Sequence, residues 1–375
     1  MVRFSVIMML MTNLQTIAPS QFDELFVNDI PMMDVRAPIE FTKGAFPSAT
    51  NLPILDDDER HQVGICYKES GAEAATALGH QLLAGAKRHE RLRIWENFHA
   101  DADNAVLYCF RGGDRSRIAC QWLHDKGVSV PRVLGGYKAL RQHLLKIYEA
   151  LPSLMLVSGK TGSGKTAFLS HFAHAIDLEA HANHRGSAFG GHLSPQPSQI
   201  NFENHTAVSF LKLQASPEVL LEDEGRLIGR ISLPLPLQEK MKASPILLIE
   251  EPAAERAERI YLEYVVEQWG HYQAHFDVEP DVQFRHYLLS AIDAIRKRLG
   301  GAAHQRIRQQ IVQADDHHCR TGSLDLHRQW VTALLVDYYD PMYDYQMTKK
   351  AERIRARDTR RGLVEWYTHE LEKRS

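Results

Sequence analysis

Residues 159–166 read Gly-Lys-Thr-Gly-Ser-Gly-Lys-Thr, a complete G-x-x-x-x-G-K-[ST] loop, and no other stretch of the chain restricts its fold so tightly. Such a loop works between a buried strand and a helix, because its glycines let backbone N–H groups approach phosphate oxygens at the helix N-terminus. The flanks supply both. Leu154-Met155-Leu156-Val157 is an apolar run of strand length, and Phe168, Leu169, Phe172 and Ile176 form the apolar face of a helix. Gly159, Gly162, Ser163, Gly164, Lys165 and Thr166 are therefore candidate phosphate-binding residues, with Lys165 supplying charge and Thr166 able to hold Mg²⁺. Val219-Leu220-Leu221 and Ile246-Leu247-Leu248-Ile249 look like further buried strands, each ending in carboxylates. Asp223, within Leu220-Leu221-Glu222-Asp223-Glu224, is a candidate acid for the metal, although a solvated acidic turn would carry the same residues.

A second anion loop stands upstream: Cys109-Phe110-Arg111-Gly112-Gly113-Asp114-Arg115-Ser116. Ala105-Val106-Leu107-Tyr108 runs into it as a buried-type strand, and Ile118, Ala119, Trp122 and Leu123 follow at helical spacing. A thiol attacks as its thiolate, so a nucleophilic cysteine needs positive surroundings. The loop amides, the helix start and Arg115 would converge on Cys109, which we read as the nucleophile with Arg115 as its anion partner. Rhodanese-type sulfurtransferases usually have a loop one residue shorter, and the C-x5-R form suits a phosphate-sized tetrahedral anion. The same spacing fits a phosphatase, but Tyr108 precedes the cysteine where a histidine would be expected, and Asp114 is the only near candidate for a general acid. The plain alternative is a buried, inert thiol at a strand end. Asp114 should weaken anion binding unless it turns outward.

At 375 residues, two domains are the default. A net charge of −3 excludes a wholly basic nucleic-acid binder but leaves room for local basic patches. The four cysteines, Cys66, Cys109, Cys120 and Cys319, form neither a disulfide framework nor a C-x-x-C metal site, which favours a reducing cytoplasm. The apolar run at residues 6–11 is too short to span a bilayer and reads as an upstream extension; no other stretch approaches transmembrane length. The expected organisation is α/β: a parallel-sheet domain over residues 12–150, a P-loop α/β domain over 151–270, and a helical, basic part over 271–375.

With both loops placed, the chain resembles the tRNA 2-selenouridine synthase family over nearly its whole length. The resemblance rests on residues 109–116, on Gly-Gly-Tyr-Lys-Ala-Leu-Arg at 135–141, on the P-loop and on Asn-His-Arg-Gly-Ser-Ala-Phe-Gly at 183–190. Gln196-Pro197-Ser198-Gln199, Phe202-Glu203-Asn204, Glu222-Asp223-Glu224 and Tyr338-Tyr339-Asp340-Pro341-Met342-Tyr343-Asp344-Tyr345 complete it. Asp34-Val35-Arg36, followed by Glu40, Gly44, Ala45, Ala49, Asn51 and Pro53, is similar to a run in the rhodanese superfamily. The resemblance implies a rhodanese-like N-terminal domain fused to a P-loop NTPase-like domain. It implies a transferase that replaces sulfur by selenium in wobble 2-thiouridine of tRNA, through S-geranylation from geranyl diphosphate and then selenation from selenophosphate. Cys109 matches the family's essential cysteine, thought to carry the selenium. The expected partners are the thiolated tRNA and a selenophosphate-supplying enzyme, with no membrane and no tightly bound cofactor; geranyl diphosphate would sit at the P-loop, with Mg²⁺ as a candidate helper. A P-loop kinase fused to a sulfurtransferase or phosphatase-like domain, acting on small molecules, is the competing reading.

Other constellations carry weaker expectations. Residues 183–187 could form a lid with Arg185 on phosphate, or an ordinary surface loop. Arg256 and Arg259, one helical turn apart, could reach the P-loop ligand or face solvent. Basic stretches at 285–310 and 349–361 would position a tRNA backbone if they are more than solvated helix faces. The tyrosines of residues 338–345 could stack a base, line an apolar channel or pack as core. His317-His318-Cys319 does not read as a metal site, since neighbours on a helix point apart.

Overall fold

The computed structural model describes residues 15–102 and 104–374. The apolar run at 6–11 and the first residues of the expected N-terminal domain lie outside them. The chain forms two compact units: residues up to 150 together with 198–212, and residues 151–197 together with 213–375.

The first unit is built on a five-stranded parallel sheet in the order β1-β5-β4-β2-β3. Its strands are Thr16–Ile17 (β1), Met32–Asp34 (β2), Ala49–Asn51 (β3), Val106–Tyr108 (β4) and Arg132–Val133 (β5). Both faces are covered, so β2 and β4 are buried throughout rather than alternating. Met33, Val35, Leu107, Trp95, Trp122 and Leu123 form the core on one side. Asp34 and Arg36 are also buried. Arg36 Nε lies 3.0 and 2.9 Å from the two oxygens of Asp34, Nη2 donates to Gly44 O at 2.7 Å, and the guanidinium lies 3.8 Å from the Tyr137 ring centroid. A buried charge tolerates this setting because every face of it is engaged.

The helix Gln199–Lys212 belongs to this first unit, not to the P-loop domain in which the sequence placed it. Buried polar pairing holds it there. Arg141 Nη1 donates to Asn204 Oδ1 at 2.7 Å and also pairs with Glu203, while Asn204 Nδ2 donates to Ala45 O at 2.7 Å.

The second unit carries a five-stranded parallel sheet in the order β12-β11-β6-β8-β7. These strands are Leu154–Gly159 (β6), Ala175–Ile176 (β7), Val219–Glu222 (β8), Ile246–Ile249 (β11) and Ile354–Asp358 (β12); Leu227–Ile228 (β9) and Ile231–Ser232 (β10) form a small hairpin. Two expectations need correction here. The helical layer starts with Ala253–Tyr261, close to residue 255 where the sequence turns to long charged helices but ahead of the domain boundary expected at 271, because Ala257, Tyr261 and Val265 share one core with Phe284, Ile311 and Trp330. The final segment is not wholly helical: β12 pairs with β11, and the helix Arg360–Glu372 packs Leu363 and Tyr367 against Met155, Val157 and Phe168. Among the described residues no helix is long and apolar enough to cross a membrane.

Candidate functional site

Each unit places one anion loop at the carboxyl end of a central parallel strand, where strand and helix ends leave polar backbone groups uncovered. In the second unit, β6 ends at Gly159 and the helix Lys165–Leu169 begins at once. Gly162 has φ +78°, and a Cβ there would stand 2.7 Å from Arg256 O, so only glycine fits. Ser163 is buried beneath the loop, with Gly159 packed against its hydroxyl.

The loop opens on a cavity of ≈490 Å³. Gly162, Gly164, Lys165 and Thr166 line one side, and Arg185, Arg259, Glu179 and Glu224 line others. Arg185 lines this cavity, with its Nη2 3.9 Å from Glu267. Its Nη1 is buried with no hydrogen-bond partner, and its guanidinium lies 5.4 Å from the Tyr264 ring centroid. Asn183, His184, Gly186 and Ser187 line the cavity beside it, so this polar stretch is part of the wall.

Asp223 and Arg256 are not where the sequence put them. Asp223 accepts from Ser158 Oγ at 2.8 Å and from Lys350 Nζ at 2.7 and 2.8 Å, so it ties β6 to the C-terminal segment. The acid at the phosphate loop is Glu222, one residue earlier. It stands opposite Val157 in the β6–β8 register, and its Oε1 accepts from Thr166 Oγ1 at 3.1 Å. Arg256 is buried against Asp340, at 2.9 and 2.6 Å, and donates to Thr161 O at 3.2 Å and Glu251 O at 3.1 Å. It braces the loop from behind, while Arg259 faces the cavity and also holds Gly162 O. Arg256→Ala would leave Asp340 with only the longer Lys160 contact at 4.0 Å, and we expect a loss of about 3 kcal/mol in unfolding free energy, read by chemical denaturation.

The cavity is unusually acidic for a phosphate site. Burial, then Glu222 and Glu224, push the Glu179 carboxyl up to about 9. Burial, then Asp177 and Glu224, push Glu222 up to about 8. Burial alone would lower Lys165, but Tyr343, Glu224, Glu179 and Glu222 outweigh it and hold the ammonium above its ordinary value. Thr166 and Glu222 supply hard oxygen donors side by side, a set that fits Mg²⁺. In the unfolded chain these carboxyls lose their protons near the ordinary 4.5, whereas in the folded chain they keep them until about 8–9. The folded state therefore binds more protons across that window, and the stability contributed by these carboxyls falls as pH rises through it. Melting temperatures from pH 5 to 9 should show this fall in the ligand-free protein and a shallower one in Glu179→Gln. A slope unchanged in the variant would contradict the assignment.

An apolar cleft adjoins the same cavity. Thr161, Ser187, Ile260, Tyr264 and Tyr339 are shared between the two, and Phe189, Trp330, Val331, Leu334 and Leu335 form the rest; as these side chains stand, the cleft leaves only ≈20 Å³ free. Phe189 stacks on Trp330 at 5.2 Å. Two π-helical turns, Leu262–Val266 and Leu335–Tyr339, contribute Tyr264, Leu335 and Tyr339 to its walls; such turns are rare and concentrate at functional sites. The aromatic run 338–345 thus divides. Tyr339 and Tyr343 line the cavity, while Tyr345 is exposed beneath Lys349.

In the first unit, β4 leads into Cys109, which is buried at the floor of its loop. The helix Asp114–His124 starts five residues later. Gly136, at φ +57°, lies against the loop so closely that a Cβ would collide with Cys109 O, which explains the Gly-Gly-Tyr motif. Cys109 Sγ donates to Ser116 Oγ at 3.2 Å, and Ser116 Oγ donates to Gly113 O at 3.0 Å. Arg115 does not lie free over the loop. Its two terminal nitrogens pair with Glu40 at 2.6 and 3.2 Å, so in this state its fork is already occupied. Asp114 turns outward onto Arg117 at 3.0 Å, which removes its conflict with an anion. Cys120 is buried, its thiol pushed up to about 12 by burial, and its Sγ donates to Val130 O at 3.6 Å.

The basic stretches are partly spent on internal pairs. Arg285, Arg306 and Arg308 bond Asp316, Asp337 and Asp293, while Arg353 donates to Met241 O and Ser244 O. Asp281, His318 and Cys319 place ligand atoms within 4.8 Å of one another, although His318 and Cys319 are helix neighbours; the buried His318 ring packs edge-on to Trp269 at 4.6 Å.

The fold and the loops define a parallel α/β domain with a P-loop at a strand–helix junction, sharing its chain with a second parallel α/β domain whose loop holds a buried cysteine. The model of the tRNA 2-selenouridine synthase AAA domain matches residues 152–374. Over 348 residues the chain is 49% identical to the tRNA 2-selenouridine synthase of Marinobacter nauticus, covering 91% of this chain and 95% of that one. It is 47% identical to that of Ectopseudomonas mendocina, covering 92% and 95%, and 46% identical to that of Shewanella sediminis, covering 94% and 97%. The chain belongs to the tRNA 2-selenouridine synthase family of tRNA-modifying enzymes.

Proposed function

We propose that this protein replaces the sulfur of wobble 2-thiouridine in tRNA by selenium, in two steps served by its two loops. In the first, the thiouridine sulfur attacks C1 of geranyl diphosphate, a C–S bond forms, the C–O bond breaks and diphosphate leaves. Lys165, the loop amides, Arg185 and Arg259 would hold the departing charge, a role that grows as the bond breaks and so lowers the barrier. Mg²⁺, held by Thr166 and Glu222, would supply further positive charge there. In the second, selenium from selenophosphate bonds to C2 of the base and geranylthiolate leaves, with Cys109 serving that step.

The observation that carries this reading is the apolar wall that Ile260, Tyr264, Tyr339 and Met342 give the ≈490 Å³ cavity beside the phosphate cradle. A diphosphate ester with a hydrocarbon tail uses cradle and wall at once, with the tail against Ile260, Tyr264 and Met342. A nucleotide would set a polar base against the same walls. The Thr166–Glu222 pair does favour the kinase reading, since nucleotide-hydrolysing P-loop enzymes hold their metal in this way. Mass spectrometry of nucleosides from thiolated tRNA, incubated with geranyl diphosphate with and without selenophosphate, separates the two. S-Geranylated nucleoside without selenophosphate and selenouridine with it support the proposal. ATP turnover without tRNA, and no geranylated nucleoside, would replace it with the kinase.

A further inference from the structure

We propose that the first unit carries its own site for the hydrocarbon tail of the S-geranylated base: a cavity beside the cysteine loop that takes the distal isoprene unit and so selects the geranylated base for selenation. This rests on the reading above, in which a base already bearing the tail is presented to Cys109. Such a base brings a large apolar surface with it, and leaving that surface in water would oppose its docking.

The cavity has ≈180 Å³ free and lies wholly within the first unit. Ile54, Leu55, Val63, Leu83, Ile118 and Trp122 give it apolar walls. An apolar cavity of about 150 Å³ holds a benzene ring, so this one has room for the five carbons of one isoprene unit. The sequence explains why the space is there. The helical segment Asp57–Leu82 breaks at Gly71, φ +83°, and its second half returns along the first, so that a Cβ on Gly79 would stand 3.9 Å from the Val63 side chain. That second half lines the cavity with Ala72, Ala75, Thr76 and Gly79, which fill little of it. Trp122, on the far wall, is fixed by Trp95 at 6.2 Å and by the Arg88 guanidinium at 4.6 Å from its ring.

Position ties the cavity to the second step. Arg115, Ile118 and Trp122 lie at i, i+3 and i+7 on the helix that leaves the cysteine loop. One face of that helix therefore runs along the cavity for about 10 Å, with Asp114 and Arg115 marking the end nearest the loop. Ser116, the next residue, holds Cys109 Sγ at 3.2 Å. Ile54, Leu55, Val63 and Ile118 pack with the core that contains Cys109. Tyr67 lines the cavity yet is 61% exposed, so an aromatic ring stands where the cavity meets solvent. A base with its sulfur at the loop can lay its tail along this face. Thiouridine without the tail gains nothing from the cavity, and that difference is the selection.

The test uses the full chain, selenophosphate and two tRNA substrates whose wobble 2-thiouridine is S-alkylated with geranyl or with the five-carbon dimethylallyl group. The bonds made and broken at C2 are the same in both, so the pair isolates the distal isoprene unit. Burying one methylene is worth about fourfold in affinity, and five carbons in a partly open cavity should give about thirtyfold. Wild type is therefore expected to form selenouridine with kcat/KM about thirtyfold higher from geranylated tRNA, the difference lying in KM. Ala72→Phe and Thr76→Phe, at positions outside the buried core, fill the cavity and should bring the two substrates within about threefold. Both variants should keep the wild-type rate on dimethylallylated tRNA, which shows that the unit is intact. Equal use of the two substrates by wild type would overturn the proposal. So would variants that keep the full preference for geranyl. If wild type makes no selenouridine from either tRNA, the function proposed above falls, and this site with it.

Discussion

Lys165→Ala is expected to lower geranyl transfer onto thiolated tRNA by about 10²–10³-fold, the usual effect of removing one preorganised charge partner at a departing oxyanion. The ammonium lies among Glu179, Glu222 and Glu224, so without it the cavity is acidic and repels a diphosphate. The variant should still convert tRNA that is already S-geranylated into selenouridine, because that step is assigned to the other unit. Nucleoside mass spectrometry reads both activities in one digest. Intact geranylation with lost selenation would reverse the assignment of donors to loops.

Cys109→Ser should give the mirror image. Selenouridine formation is expected to fall by about 10⁴-fold or more, the scale on which deleting a covalent nucleophile acts, while S-geranylated tRNA accumulates. The thiol is buried and touches Ser116 through one weak hydrogen bond, so the isosteric hydroxyl should leave the melting temperature almost unchanged. Equal loss of both steps would place Cys109 in a role common to them.

Both loops and their strand–helix settings were legible in the sequence because each depends on local residue order: an apolar run, glycines at fixed offsets, and a helical face. What the sequence left open was set by rotation and partner choice. Glu222 and Asp223 are adjacent, and which carboxylate meets Thr166 depends on where β8 stops pairing with β6, a register that composition does not reveal. Arg256 and Arg259 share one helix face by spacing, yet a small rotation buries the first on Asp340 and turns the second to the cavity. The helix Gln199–Lys212 showed its apolar side but not what it would pack against. Residues 354–358, Ile-Arg-Ala-Arg-Asp, hid a two-residue alternation beneath their charge and read as a basic surface, whereas they form the edge strand β12. Glu179 carried no signal at all, since it enters the cavity only through the packing of its short helix.

That edge strand bears on how the protein is made. The sheet that presents the phosphate loop lacks its outer strand until Ile354–Asp358 emerge, long after the loop itself has been synthesised. Tyr367 and Leu363, which close the core under Phe168, come later still. A nascent chain therefore carries an intact phosphate-binding motif on an unfinished platform, and a chain cut short before residue 354 should be recognised as damaged by its exposed sheet edge rather than survive as a partly active enzyme.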